Sequence, residues 1–149
     1  MHTATPTLAP AETRDLRALV AEMIPASAIY NVPGADDDVI FADILNSLER
    51  DTDDARAALK QLAGLSGGAF ADLPVDRRTE IATALKTEGG AALFALNRVV
   101  LLCYYRDDRV MRSLGQEPRS PFPKGHVVEQ GDWSLLDQVR KRDPIYRRP

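Results

Sequence analysis

The chain has 149 residues, 44% of them hydrophobic and 28% charged, with a formal net charge of −3, the profile of one globular domain able to bury a core without covalent staples. A balance this far from basic excludes the electrostatic footprint of a nucleic-acid binder. One cysteine, Cys103, excludes an internal disulfide.

Ala and Leu are abundant and β-branched residues sparse, which favours helices over sheets. Residues 1–10 read as a flexible leader, with Pro10 suited to a first helical position. Leu16, Leu19, Val20, Met23 and Ile24 then repeat at helical spacing up to Pro25. Pro33-Gly34 predicts a turn within a loop over 25–35. Asp36, Asp37 and Asp38 suit the N-terminus of a second helix, where an acid caps free N–H groups and opposes the macrodipole. Its buried face is Ile40, Ile44, Leu45 and Leu48.

Asp51-Thr52-Asp53 predicts a break and a new cap, followed by a third helix carrying Ala55, Leu59, Leu62 and Ala63 and stopping at Gly67-Gly68. Phe70 and Leu73 anchor the connection to a fourth helix that starts at Pro74, carries Ile81 and Leu85, and stops at Gly89-Gly90. A fifth helix from about Ala91 to Tyr105 is apolar on nearly every side and is expected to be the central, most buried element. Cys103 lies inside it and reads as a buried structural thiol. Asp107 is expected to cap a short sixth helix ending at Leu114-Gly115.

Beyond Gly115 the chain changes character. Pro118, Pro121, Pro123, Gly125 and Gly131 break regular structure, and Asp132 can cap one short helix over about 133–139. Residues 1–117 carry 12 basic and 18 acidic side chains (−6), whereas 118–149 carry 7 and 4 (+3). The tail also holds Phe122, Trp133, Leu135, Leu136, Val139, Ile145 and Tyr146, too apolar for a solvated disordered segment. Either it packs back onto its own helices or it packs onto another protein. The expected architecture is therefore a single all-α domain of five or six helices over 11–117, with an irregular strap over 118–149.

A search for chemistry returns little. His2 and His126 are isolated, so no metal-ligand cluster forms. Asp36-Asp37-Asp38 and Asp51-Thr52-Asp53-Asp54 lack the alternating oxygens and closing Glu of a calcium loop. Gly64-Leu65-Ser66-Gly67-Gly68 follows a helix and lacks the lysine of a phosphate loop, and no dinucleotide fingerprint exists. No catalytic, cofactor-binding or metal residue is assigned. The start of the chain has no basic region before an apolar stretch, so a cytoplasmic location is expected. The run over residues 91–105 is too short and too polar to span a bilayer.

Several stretches carry a recognisable order. They are Leu16-Arg17-Ala18-Leu19-Val20-Ala21-Glu22-Met23-Ile24-Pro25 with Pro33-Gly34-Ala35, then Phe70-Ala71-Asp72-Leu73-Pro74, then Tyr104-Tyr105-Arg106-Asp107-Asp108-Arg109-Val110 running on to Leu114-Gly115. In the tail stand Arg119-Ser120-Pro121-Phe122-Pro123-Lys124-Gly125 and Gly131-Asp132-Trp133-Ser134-Leu135-Leu136-Asp137. Together these stretches resemble the gluconate 2-dehydrogenase subunit 3 family, most strongly over residues 104–115, and the tail is similar to one subgroup of it. Asp108 stands where that family commonly has Pro, and the export signal frequent in the family is missing. The resemblance implies a small helical, non-catalytic subunit. Its partner would be a large FAD-binding dehydrogenase of the glucose–methanol–choline type acting on a sugar, glycoside or other alcohol, in some cases with a cytochrome as electron acceptor. The FAD and the catalytic residues would lie in that large subunit. Expected partner contacts are Tyr104, Tyr105, Phe122, His126, Trp133, Leu136, Arg140, Tyr146 and Arg147. Two alternatives stand beside this reading: a free-standing helical adaptor, and a small enzyme built around His126 with carboxylates.

Overall fold

The computed structural model describes residues 8–120, 122–125 and 127–143. Among them the chain is all-α, its one β feature being an isolated antiparallel bridge between Ser27 and Val32. It divides into two units, residues 1–118 and 119–149.

The first unit holds α1 (Pro10–Met23), α2 (Asp38–Ser47), α3 (Thr52–Ser66), α4 (Val75–Glu88), α5 (Ala91–Arg106) and α6 (Asp108–Ser113). Pro10 takes the first turn of α1, where its missing N–H costs nothing. The Ala9 N–H donates to Glu12 Oε2 at 2.7 Å, which satisfies one free end group. The leader is not wholly loose, because Leu8 is buried in the core. Asp37 caps α2, accepting from the N–H groups of Val39 (3.1 Å) and Ile40 (3.5 Å). Asp107 caps α6 in the same way through the Arg109 N–H at 2.9 Å. α3 stops at Gly67, which adopts the left-handed conformation (φ 69°) that closes helices at little steric cost.

The break before α3 differs from the sequence expectation. A 3-10 turn, Glu49–Asp51, leads straight into α3, and Asp51 makes no side-chain cap. Its carboxylate instead accepts from Arg98 of α5 at 2.7 Å. A charged donor outcompetes the local N–H groups for that oxygen. Buried Thr52 turns its hydroxyl back to the Glu49 carbonyl at 2.9 Å.

Helix α3 sits at the centre. α5 and α4 both pack on it, α1 packs on α4 and α3, and α2 packs on α5. Leu16, Leu19 and Val20 of α1, Ile40 and Ile44 of α2, Leu62 of α3, Leu85 of α4 and Leu96 and Val100 of α5 are fully buried. Phe70, on a 3-10 turn over Phe70–Asp72, is the largest fully buried side chain. That turn is tied to α1 by the Ala71 N–H donating to Asp15 Oδ1 at 2.8 Å and by the Arg14–Asp72 ion pair.

Helix α5 departs from expectation more sharply. Leu96, Val99, Val100, Cys103 and Tyr104 face inward, yet Phe94, Leu101, Leu102 and Tyr105 are exposed. No second layer of helix covers that side in the first unit, so an almost uniformly apolar helix is only half buried. Among the described residues no helix is long and apolar enough to cross a membrane.

The second unit contains a 3-10 turn, Trp133–Leu136, followed by one helical turn, α7 (Asp137–Arg140). Asp132 caps it as expected, accepting from the Ser134 N–H at 3.0 Å and the Ser134 hydroxyl at 2.6 Å. Those two bonds hold the Asp132 carboxyl below its ordinary range.

Candidate partner-binding surfaces

The expected contact residues separate into three groups. Tyr104 and Tyr105 are adjacent on α5 and meet edge to face, with ring centroids 5.3 Å apart. Successive helical residues point about 100° apart, so the two rings meet different surroundings. Tyr104 is the inner ring at 5% exposure, and its hydroxyl donates to the Pro33 carbonyl at 3.2 Å. Burial pushes its ionisation above the usual range. Tyr104 thus tethers the loop before α2 to α5 inside this chain, and Tyr105 is the ring available to a partner.

Phe122, Trp133, Leu136 and Arg140 form the second group. Every described residue from 122 to 143 is exposed. Trp133 is 60% exposed, and its indole N–H donates to Gln130 Oε1 at 3.3 Å. Phe122, Val127, Val128, Leu135 and Val139 are exposed as well. Arg140 pairs with Asp137 at 3.2 Å, the i,i+3 spacing that helical geometry allows. Arg119 folds its own segment by donating to the carbonyls of Ser120 (3.2 Å) and Gly125 (2.7 Å). The turn over 133–136 carries Trp133, Leu135 and Leu136 together on a short capped piece, a few residues before Arg140, Lys141 and Arg142. His126, Tyr146 and Arg147, the third group, lie outside the described residues.

One electrostatic device orders the first unit near Tyr105. The Arg109 guanidinium bonds Asp37 at 2.7 and 3.2 Å and Asp107 at 2.9 and 3.0 Å. Each aspartate caps a helix while it holds the same arginine. Arg109 keeps both carboxyls below the usual aspartate range, and they in turn push its own ionisation upward. On the other side of α5, Arg106 bonds Asp43 at 2.6 Å and Ser47 at 2.7 Å. Cys103 lies beneath this pair, fully buried, and burial raises its thiol above the ordinary range. A protonated, inaccessible thiol is inert as a nucleophile.

The exposed face of α5 was missed by sequence reasoning. Phe94 and Leu101 border a groove of about 730 Å³ whose other walls are α1 and α4. Periodicity shows that α5 is apolar all round but cannot say which side lacks a neighbour. The glycine-rich segment over 64–68 ends α3, so it presents helix C-terminal carbonyls where a phosphate would need N–H donors. Among the described residues no group of three or more His, Cys, Asp or Glu is placed to hold a metal ion. No protein-family model, no curated protein and no solved structure matches this chain.

Proposed function

We propose that this chain is the small, non-catalytic subunit of a flavin-dependent dehydrogenase. It would bind and stabilise a large FAD-carrying subunit of the glucose–methanol–choline type that oxidises a sugar, glycoside or other alcohol. The observation that carries the reading is the tail. Phe122, Trp133, Leu135, Leu136 and Val139 are all exposed on one short unit, beside the consecutive cations Arg140, Lys141 and Arg142. Trp and Arg on a small ordered element are the residue types that dominate binding energy at interfaces. The family-like stretches quoted above, in their order along the chain, supply the identity of the partner.

In this reading the tail clamps the large subunit. Burying its apolar side chains contributes roughly 25 cal/mol per Å² before association costs. The cations complement acids on the partner and speed docking. The flavin in the large subunit supplies the redox chemistry by accepting hydride from the carbinol carbon. This chain's own residues hold the complex together and take no chemical step.

The test is co-expression with a candidate large FAD-binding subunit of the glucose–methanol–choline type. The full chain should co-purify with it and raise its dehydrogenase activity. A chain ending at Pro118 keeps the residues of the buried core and should fold, yet lose co-purification. Full binding and full activity with the shortened chain would overturn the clamp. A full chain indifferent to the flavoprotein would leave the free-standing adaptor in its place.

A further inference from the structure

The Trp133–Leu136 turn and α7 stand without a core of their own. Every described residue from 122 to 143 is exposed, so no buried packing among the described residues holds this segment. Helical pieces this short are marginal in water when nothing packs on them. Their order must come from local bonds. The Leu135 N–H donates to the Asp132 carbonyl at 3.3 Å, and the Asp137 N–H donates to the Ser134 carbonyl. Two side chains close the start of the turn. Asp132 Oδ1 accepts from the Ser134 N–H at 3.0 Å and from the Ser134 hydroxyl at 2.6 Å. Gln130 Oε1 accepts from the Trp133 indole N–H at 3.3 Å.

Asp132 also has the wrong sign for a contact residue on this tail. Residues 118–149 carry 7 basic and 4 acidic side chains, and Arg140, Lys141 and Arg142 follow Asp132 closely. A partner surface whose acids attract those cations repels the Asp132 carboxylate. On charge alone, removing Asp132 should tighten binding. As a cap, removing it should weaken binding. The two roles predict opposite signs, and the two bonds to Ser134 favour the second.

We infer that Asp132 is a positioning residue of the tail's docking site. Through Ser134 it holds the turn that presents Trp133, Leu135 and Leu136 in its binding form, and it does not itself touch the partner. This rests on the subunit reading and deepens it. The apparent affinity of a segment that must be ordered to bind falls with the fraction of chains in the ordered form. Replacing an N-cap aspartate with alanine shifts a helical equilibrium about fivefold, whereas asparagine caps as well as aspartate does. In a buried helix packing would mask that shift. Here the cap is one of few bonds present, so its loss reaches the affinity.

The test compares full-length variants for affinity to the candidate large FAD-binding subunit. Cα chemical shifts of residues 133–140 are measured alongside, in the free chain. Asp132→Ala should weaken binding about three- to fivefold and move those shifts toward random-coil values. Asp132→Asn removes the charge and keeps the acceptor, so it should bind at least as tightly as wild type and hold the shifts. Glu129→Gln, at an exposed acid outside the cap, should not weaken binding. If Asp132→Ala binds as tightly as wild type, or leaves the shifts unmoved, the inference is overturned while the subunit reading stands. Asp132→Asn binding as weakly as Asp132→Ala also overturns it, because the carboxylate charge would then be what the partner contacts. A wild-type chain that does not bind the large subunit sinks the subunit reading, and this inference with it.

Discussion

Replacing Arg109 with alanine probes the electrostatic joint between α2 and α6. The guanidinium makes four hydrogen bonds to two carboxylates, Asp37 and Asp107, at 2.7–3.2 Å. Hydrogen bonds to charged groups contribute about 1.5–3 kcal/mol in net terms. The Arg109 side chain is 42% exposed, so water screens part of that, and a loss of about 1–2 kcal/mol is expected. In a chain of this length that is a fall in Tm of about 3–8 °C. Both aspartates titrate below their ordinary value of 3.8 in the folded protein because Arg109 bonds them. Their contribution is therefore fully present above about pH 4 and is lost as the pH falls through the folded-state values. Urea denaturation of wild type and Arg109→Ala at pH 7 and again near pH 3 checks this. The stability gap should be wide at pH 7 and narrower near pH 3. A gap that stays constant or widens in acid, or a variant as stable as wild type at pH 7, would refute the reasoning.

Two further substitutions address packing. Phe70→Ala empties the site of the largest fully buried side chain and should cost about 3–5 kcal/mol, read as a drop in the urea midpoint without a change in slope. At Gly34 an added Cβ would lie 2.9 Å from the Ala26 backbone nitrogen and 3.2 Å from the Ile24 carbonyl, and would also meet the Asp36 carboxylate. The carboxylate can rotate away but the backbone cannot, so Gly34→Ala should cost about 1–3 kcal/mol by thermal unfolding.

Much of the helical framework was legible because its signals are local. Leu16, Leu19, Val20 and Met23 share a face whatever surrounds them, Asp37 and Asp107 cap through N–H groups two or three residues away, and Gly67 ends α3 through its own backbone. The candidate site was less legible. Asp51 had the spacing of a cap, yet its carboxylate turned to Arg98, 47 residues distant. The Tyr104-Tyr105 pair was visible as a pair, but which ring faces out depends on the Pro33 carbonyl, 71 residues away. The apolar excess of the tail and a turn capped by Asp132 were readable from sequence, whereas the exposure of Trp133, Leu135 and Leu136 on that turn needed coordinates.

The amino-acid order alone determined the helical class, most helix starts and stops, most inward positions of α1 to α4 (Ala63 of α3 lies exposed instead), and an acidic body joined to a basic, greasy tail. These follow from propensity, periodicity and charge, which act over a few residues. Tertiary structure decided how α5 is half covered, where the groove opens beside Phe94 and Lys86, and how Arg109 joins two caps. Each of those depends on which helix packs against which. A 3.6-residue repeat records that a side chain is apolar, but the neighbour that removes it from water comes from a distant part of the chain.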